Sequence, residues 1–128
     1  MYLLLDTSTG CCRVWLVEGK SHYAYEWRAD RQLAHGLLRF LVECLTRHSQ
    51  TFDTLKGIGV LRGPGSFTGL RIGISTVNTI ASFRHIPIVG AAGEDWRDEA
   101  LQRLRKNEND AIVLPYYGRE ARITTPRK

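Results

Sequence analysis

The chain has 128 residues, 43% apolar and 24% charged, a balance that suits one globular domain and is too short for two. No apolar run nears the ~20 residues of a membrane span, and Asp6 cuts Leu3-Leu4-Leu5 too short for a signal-peptide core, so a cytoplasmic chain with no membrane contact is expected. The net charge is +5, and its excess lies between residues 54 and 93, where Lys56, Arg62, Arg71 and Arg84 meet no acid; that favours phosphate or an acidic partner, though without interleaved aromatics it does not indicate direct RNA reading.

In chain order, Tyr2–Leu5 reads as a central strand that ends in the turn chemistry of Asp6-Thr7-Ser8-Thr9-Gly10. Cys12–Val17 is a second strand, Glu18-Gly19-Lys20-Ser21 a hairpin turn, and His22–Arg28 a third strand with alternating Tyr23, Tyr25 and Trp27. Cys11, Cys12 and Cys44 are odd in number and lack CxxC spacing, which predicts reduced thiols and neither a disulfide framework nor a zinc site. Asp30 is placed to cap a helix whose Leu33, Leu37, Leu38, Leu41, Val42 and Leu45 keep the 3.6 period to about Thr46. Strand 55–61 follows, then a glycine loop, a helix over 69–83, and strand 86–89 with Pro87 marking an edge or a start. Helix 94–105, strand 111–114 and a hairpin turned at Gly118 into 121–124 complete the domain, leaving 125–128 as a loose tail.

The organising stretch is Arg62 to Gly73, RGPGSFTGLRIG. Gly63, Gly65 and Gly69 allow a sharp turn and close backbone approach, and Ser66 or Thr68 can cap the helix behind. A glycine loop feeding a helix N-terminus cradles anions, because unpaired N–H groups and the helix dipole point the same way. It is neither a Walker A loop nor GxGxxG in its strand–helix setting, and a turn that binds nothing is the plainer alternative. Asp6, Thr7 and Ser8 likewise offer a carboxylate and hydroxyls to Mg²⁺ and phosphate, or else a turn in which Asp6 merely accepts backbone N–H bonds.

GPGSFTGLRIG and LLLDTST closely resemble motifs of the bacterial TsaB (YeaZ) family, over about Tyr2 to Ala92. The resemblance implies an α/β, RNase H-like single lobe of the actin/Hsp70/sugar-kinase superfamily, with a mixed sheet in βββαβαβα order across residues 1–124. It implies a non-catalytic scaffold that binds and activates TsaD, the enzyme completing threonylcarbamoylation of adenosine 37 in tRNA, with any tRNA contact indirect or weak. ATP and Mg²⁺ would then belong to partner subunits, so no cofactor and no metal is expected on this chain. The loop from Arg62 to Arg71 would dock near the partner's nucleotide or the accessory ATPase TsaE, with Asp6, Thr7, Ser8, Arg62, Gly63, Gly65, Ser66, Thr68, Gly69 and Arg71 as candidate contacts. Two departures stand out: the family's usual second lobe has no counterpart in this sequence, and its Asp-Ala-Arg segment appears as Tyr117-Gly118-Arg119.

Both middle helices are apolar over an arc of roughly 200°, beyond the ~100° needed to face one core. That predicts an apolar patch, and family helices in these positions bundle with TsaD or with a second TsaB. Leu38 and Leu41 on the first helix, and Gly69, Leu70, Gly73, Ile74 and Val77 on the second, are the expected interface. TsaD-type enzymes hold metal through HxxxH; here His35 has Arg31 and Arg39 at those offsets, so the pair is missing. Ser66 lies outside any GxSxG elbow. Two other readings remain beside the scaffold: an autonomous ATP-binding phosphotransferase, or a homodimeric interaction module.

Overall fold

A computed structural model describes residues 1–116. Strands β1 (Tyr2–Asp6), β2 (Cys11–Glu18) and β3 (Ser21–Arg28) form an antiparallel meander. Gly19, at φ +60°, takes the first central position of the turn between Glu18 and Ser21, where a side chain would be strained. Strand β4 (Gly57–Gly63) joins β1 in parallel and β5 (Ile88–Ala92) joins β4 in parallel. The sheet order is therefore β3-β2-β1-β4-β5.

Helices α1 (Leu33–Thr46) and α2 (Phe67–Arg84) cover one face of this sheet, and α3 (Trp96–Arg105) covers the other. Alternation divides each strand between two cores. Leu3, Leu5, Val14, Leu16, Ile58, Val60 and Ile88 meet α1 and α2, whereas Leu4, Val17, Leu61, Val89 and Ala91 meet α3. The expected βββαβαβα order holds through Arg105.

Several boundaries move, each for a local reason. Helix α2 starts at Phe67 rather than at residue 69, because the Ser66 hydroxyl accepts the Gly69 N–H at 3.2 Å and so fixes the cap. Asp30 is not the cap of α1. It sits at φ +46° in a short 3₁₀ turn, Asp30–Gln32, and the turn is pinned instead by the Ala29 and Asp30 N–H groups on the Gly10 carbonyl, both at 3.0 Å. Strand β5 begins after Pro87, which has no N–H for the ladder.

The strand expected over 111–114 does not form. Ala111 stands at φ +68°, and the β5 edge that such a strand would pair with is already occupied. At that edge the Ile88 N–H goes to Asn109 Oδ1 and the Gly90 N–H to Asp110 Oδ2, while the Ile88 carbonyl takes the Asp110 N–H and the Gly90 carbonyl takes Arg103 Nη1. Residues 111–116 instead run past β5 held by side-chain bonds and by one backbone bond from the Tyr116 N–H to the Arg62 carbonyl. The Asn78 amide holds both the N–H and the C=O of Val113, at 2.9 Å each. The hairpin expected at Gly118, the Tyr117-Gly118-Arg119 segment and the tail lie outside the described residues.

Candidate functional site

Parallel pairing of β1 with β4 brings the loop after β1 against the glycine loop after β4. The Ser66 N–H donates to the Ser8 carbonyl at 2.8 Å, and the Thr7 hydroxyl donates to the Gly69 carbonyl at 2.7 Å. Among the described residues Thr7 is the one polar side chain that is buried. Gly69 and Gly73, one turn apart, press on it: a Cβ at Gly69 would overlap the Thr7 carbonyl oxygen, and one at Gly73 the Thr7 hydroxyl. At Gly65 a Cβ would stand 2.8 Å from the Ser8 carbonyl oxygen. The glycines thus serve a crossing of two loops within the chain.

A cleft of about 360 Å³ opens at the carboxyl ends of these strands, lined by Asp6, Leu61, Gly63, Pro64, Gly93, Glu94 and Trp96. A neighbouring cleft of about 520 Å³ shares Pro64 and Gly93 and adds Arg62, Ala92 and Tyr116. This is where open α/β sheets take ligands. Sequence reading put Asp6 and Arg62 here and missed Glu94, which no motif marks.

Three of the hydroxyls that a phosphate loop would present, on Thr7, Ser8 and Thr9, are donated within the chain. Asp6 Oδ1 accepts both the Ser8 N–H at 2.8 Å and the Ser8 hydroxyl at 2.6 Å, as in a capped turn. The Thr9 hydroxyl donates to the Cys11 carbonyl, and Ser66 caps its own helix. The groups nearest a nucleotide or Mg²⁺, which the superfamily suggests, are thus engaged within the chain, Thr7, Ser8 and Thr9 through their hydroxyl protons and Asp6 through Oδ1. Among the described residues no group of three or more His, Cys, Asp or Glu side chains is placed to hold a metal ion.

Arg62 is tied down within the lobe. Its Nε donates to the Leu114 carbonyl at 2.8 Å, its guanidinium lies 5.9 Å from the Tyr116 ring centre, and its own carbonyl accepts the Tyr116 N–H at 2.7 Å. Arg71 is exposed and lies 5.1 Å from the Phe67 ring centre. Arg62 is thus engaged within the lobe, while Arg71 keeps an exposed place on the first turns of α2. Thr68 is exposed beside Arg31 and Ile72 in a small cleft of about 140 Å³.

The expected helical interface needs correction. Leu41, Leu70, Ile74 and Val77 are core residues, each 2% exposed or less, and Gly69 and Gly73 are buried against Thr7. The wide apolar arcs are consumed because α1 and α2 pack on the same sheet face and on each other. Of the expected set only Leu38 is open, at 54%, and Val42, one turn on, joins it. Phe83 is also exposed, at the far end of α2.

This sheet order, with helices on both faces and two loops crossing at the strand ends, defines a single RNase H-like lobe of the actin/Hsp70/sugar-kinase class. The model of the family described as "TsaD: tRNA N6-adenosine threonylcarbamoyltransferase" matches residues 27–92, just over half of the chain, and the chain belongs to that family. It is TsaB/YeaZ-like. The TsaB protein of Escherichia coli K12, named as a tRNA threonylcarbamoyladenosine biosynthesis protein, is 30% identical over 80% of this chain and 47% of its own length. Its Haemophilus influenzae counterpart is also 30% identical, over 88% of this chain and 48% of its own length. The solved structure of YeaZ from Pseudomonas aeruginosa superposes with a TM-score of 0.66 at 31% identity, over 71% of this chain and 43% of that one. The chain spans about half the length of the curated relatives it matches.

Proposed function

We propose that this lobe is a non-catalytic subunit in the biosynthesis of tRNA threonylcarbamoyladenosine, docking a TsaD-type threonylcarbamoyltransferase and raising its activity. The observation that carries the non-catalytic role is the crossed loop pair. Thr7, Ser8 and Thr9 donate their hydroxyl protons to this chain's own oxygens, so at the crossed loops these three offer no donor to a phosphate. The names of the TsaB relatives support the pathway. Leu38 and Val42, exposed on α1, supply the apolar centre through which the lobe would dock. Arg71 and the outer rim of the glycine loop would face TsaE or the enzyme's nucleotide, and any contact with tRNA would run through the enzyme.

The test combines purified chain with a TsaD-type enzyme, ATP and unmodified tRNA. The chain alone should hydrolyse no ATP above background, and its addition should raise tRNA modification by the enzyme. Stoichiometric ATP turnover by the chain alone, lost on Asp6→Ala, would instead support the phosphotransferase reading.

A further inference from the structure

We propose that the cleft at the carboxyl ends of β1 and β4 binds a cationic peptide, and that its occupant is this chain's own segment after Tyr116, through Arg119 and Arg122. The path of the described chain leads there. The Asp110 N–H donates to the Ile88 carbonyl at the start of β5, Val113 packs on Gly90 in its middle, and the Tyr116 N–H reaches the Arg62 carbonyl at 2.7 Å. The chain after α3 therefore advances alongside β5 toward the carboxyl ends of the sheet. A Cβ on Gly63 would overlap the Tyr116 carbonyl oxygen. Gly63 lines the cleft of about 360 Å³ and Tyr116 the adjoining one of about 520 Å³. The chain thus leaves the described residues at the mouth of the site. Arg119 follows three residues on, within about 10 Å of the Tyr116 Cα.

Charge favours this occupant. Asp6 and Glu94 line the cleft, and Asp95, Asp98 and Glu99 follow at the start of α3. None of these carboxylates makes an ion pair among the described residues. Asp6 spends Oδ1 on Ser8, and its Oδ2 is in no hydrogen bond among the described residues. The cations nearby are fewer than the acids. Arg13 stands opposite Asp6 on β2 without pairing to it, Arg97 lies 4.2 Å from the Trp15 ring centre, and Arg62 is held by Leu114 and Tyr116. This end of the lobe is therefore acidic, in a chain whose net charge is +5. The segment after Tyr116 brings Arg119, Arg122, Arg127 and Lys128 against Glu120 alone. The planar fork of an arginine matches a carboxylate, and Leu61, Pro64 and Trp96 offer its aliphatic stem an apolar wall. Exposed ion pairs are weak one by one. Tethering makes the contact intramolecular, which lets weak pairs hold.

The experiment follows trypsin cleavage after Arg119 and Arg122 in the full chain by mass spectrometry, at low and high salt. A free peptide of residues 117–128, digested separately, is the reference. At low salt the chain should be cut roughly fivefold more slowly than the peptide, and the difference should vanish as salt screens the contact. Asp6→Asn/Glu94→Gln should keep the wild-type circular dichroism and be cut at the peptide's rate at both salts. Glu94→Lys, which leaves the Asp6 turn intact, should relieve most of the protection by itself. Wild-type cleavage at the peptide's rate at low salt would overturn the proposal. So would slow cleavage that neither variant relieves, since the segment would then be covered away from these carboxylates. Protection that grows with chain concentration would overturn the same-chain contact and seat the segment in the cleft of a second copy.

Discussion

Thr7 is where the two loops are most tightly joined, since its hydroxyl holds the first turn of α2 while Gly69 and Gly73 close over it. Gly73→Ala should therefore cost about 1–3 kcal/mol by overpacking, and removing the obstructing atoms in Gly73→Ala/Thr7→Ala should recover part of the loss. A thermal-melt double-mutant cycle with simple additivity would contradict the contact. Turn chemistry after β1 and the glycine run after β4 were both legible in sequence. That they meet was not, because only the parallel register of Leu3 with Ile58 and Leu5 with Val60 sets the loops side by side. The thiols separate in the same local way. Burial, then the neighbouring Asp6, pushes Cys12 up to about 12, and burial pushes Cys44 to about 11. Both stay protonated in the folded chain, so at pH 8 a thiol reagent should titrate Cys11 quickly and the other two only after unfolding. Their stabilising effect is whole below the ordinary thiol value of 9.0 and is lost as pH climbs toward the raised values.

Helical period identified the apolar residues of α1 and α2 but could not say what covers them. The structure assigns Ile74 to the core and Leu38 to the surface. Ile74→Arg should thus unfold the domain, at a cost above about 4 kcal/mol. Leu38→Asp should change stability by no more than about 0.5 kcal/mol. Chemical denaturation of the two variants checks both; a folded Ile74→Arg would return α2 to the surface. The missing strand at 111–114 has a different cause. Ile112, Val113 and Leu114 are good strand formers, and Val113 does pack inward on Gly90, but the ladder positions beside them are filled by Asn109, Asp110 and Arg103. Those are ordinary solvent-facing residue types in sequence, and nothing local marks them as substitutes for a strand.

At the scale of the whole lobe, the Arg103 cluster fastens the chain after α3 to the sheet. Arg103 donates to Glu108 Oε1 at 2.6 Å and to both oxygens of Asp110. Burial works to raise the Asp110 carboxyl, but the hydrogen bonds from Arg103 and the Gly90 N–H prevail and hold it below its ordinary value. A depressed carboxyl stabilises above the unfolded value, near 3.9, and that support is lost as pH falls through the folded value. Acidification below about pH 4 should therefore lower the protection of the Gly90 amide relative to its intrinsic exchange rate at the same pH, and Asp110→Asn should lower that protection already at neutral pH and cost about 1 kcal/mol. Protection at Gly90 indifferent to both would refute the fastening. The same occupied edge governs how the sheet can grow. Strand β3 presents an open rim, whereas β5 has its outward N–H and C=O groups at Ile88 and Gly90 already satisfied. In the language of polymer chemistry the described residues have one reactive end: β3 could couple to another rim, whereas the β5 side offers no free ladder groups at Ile88 and Gly90.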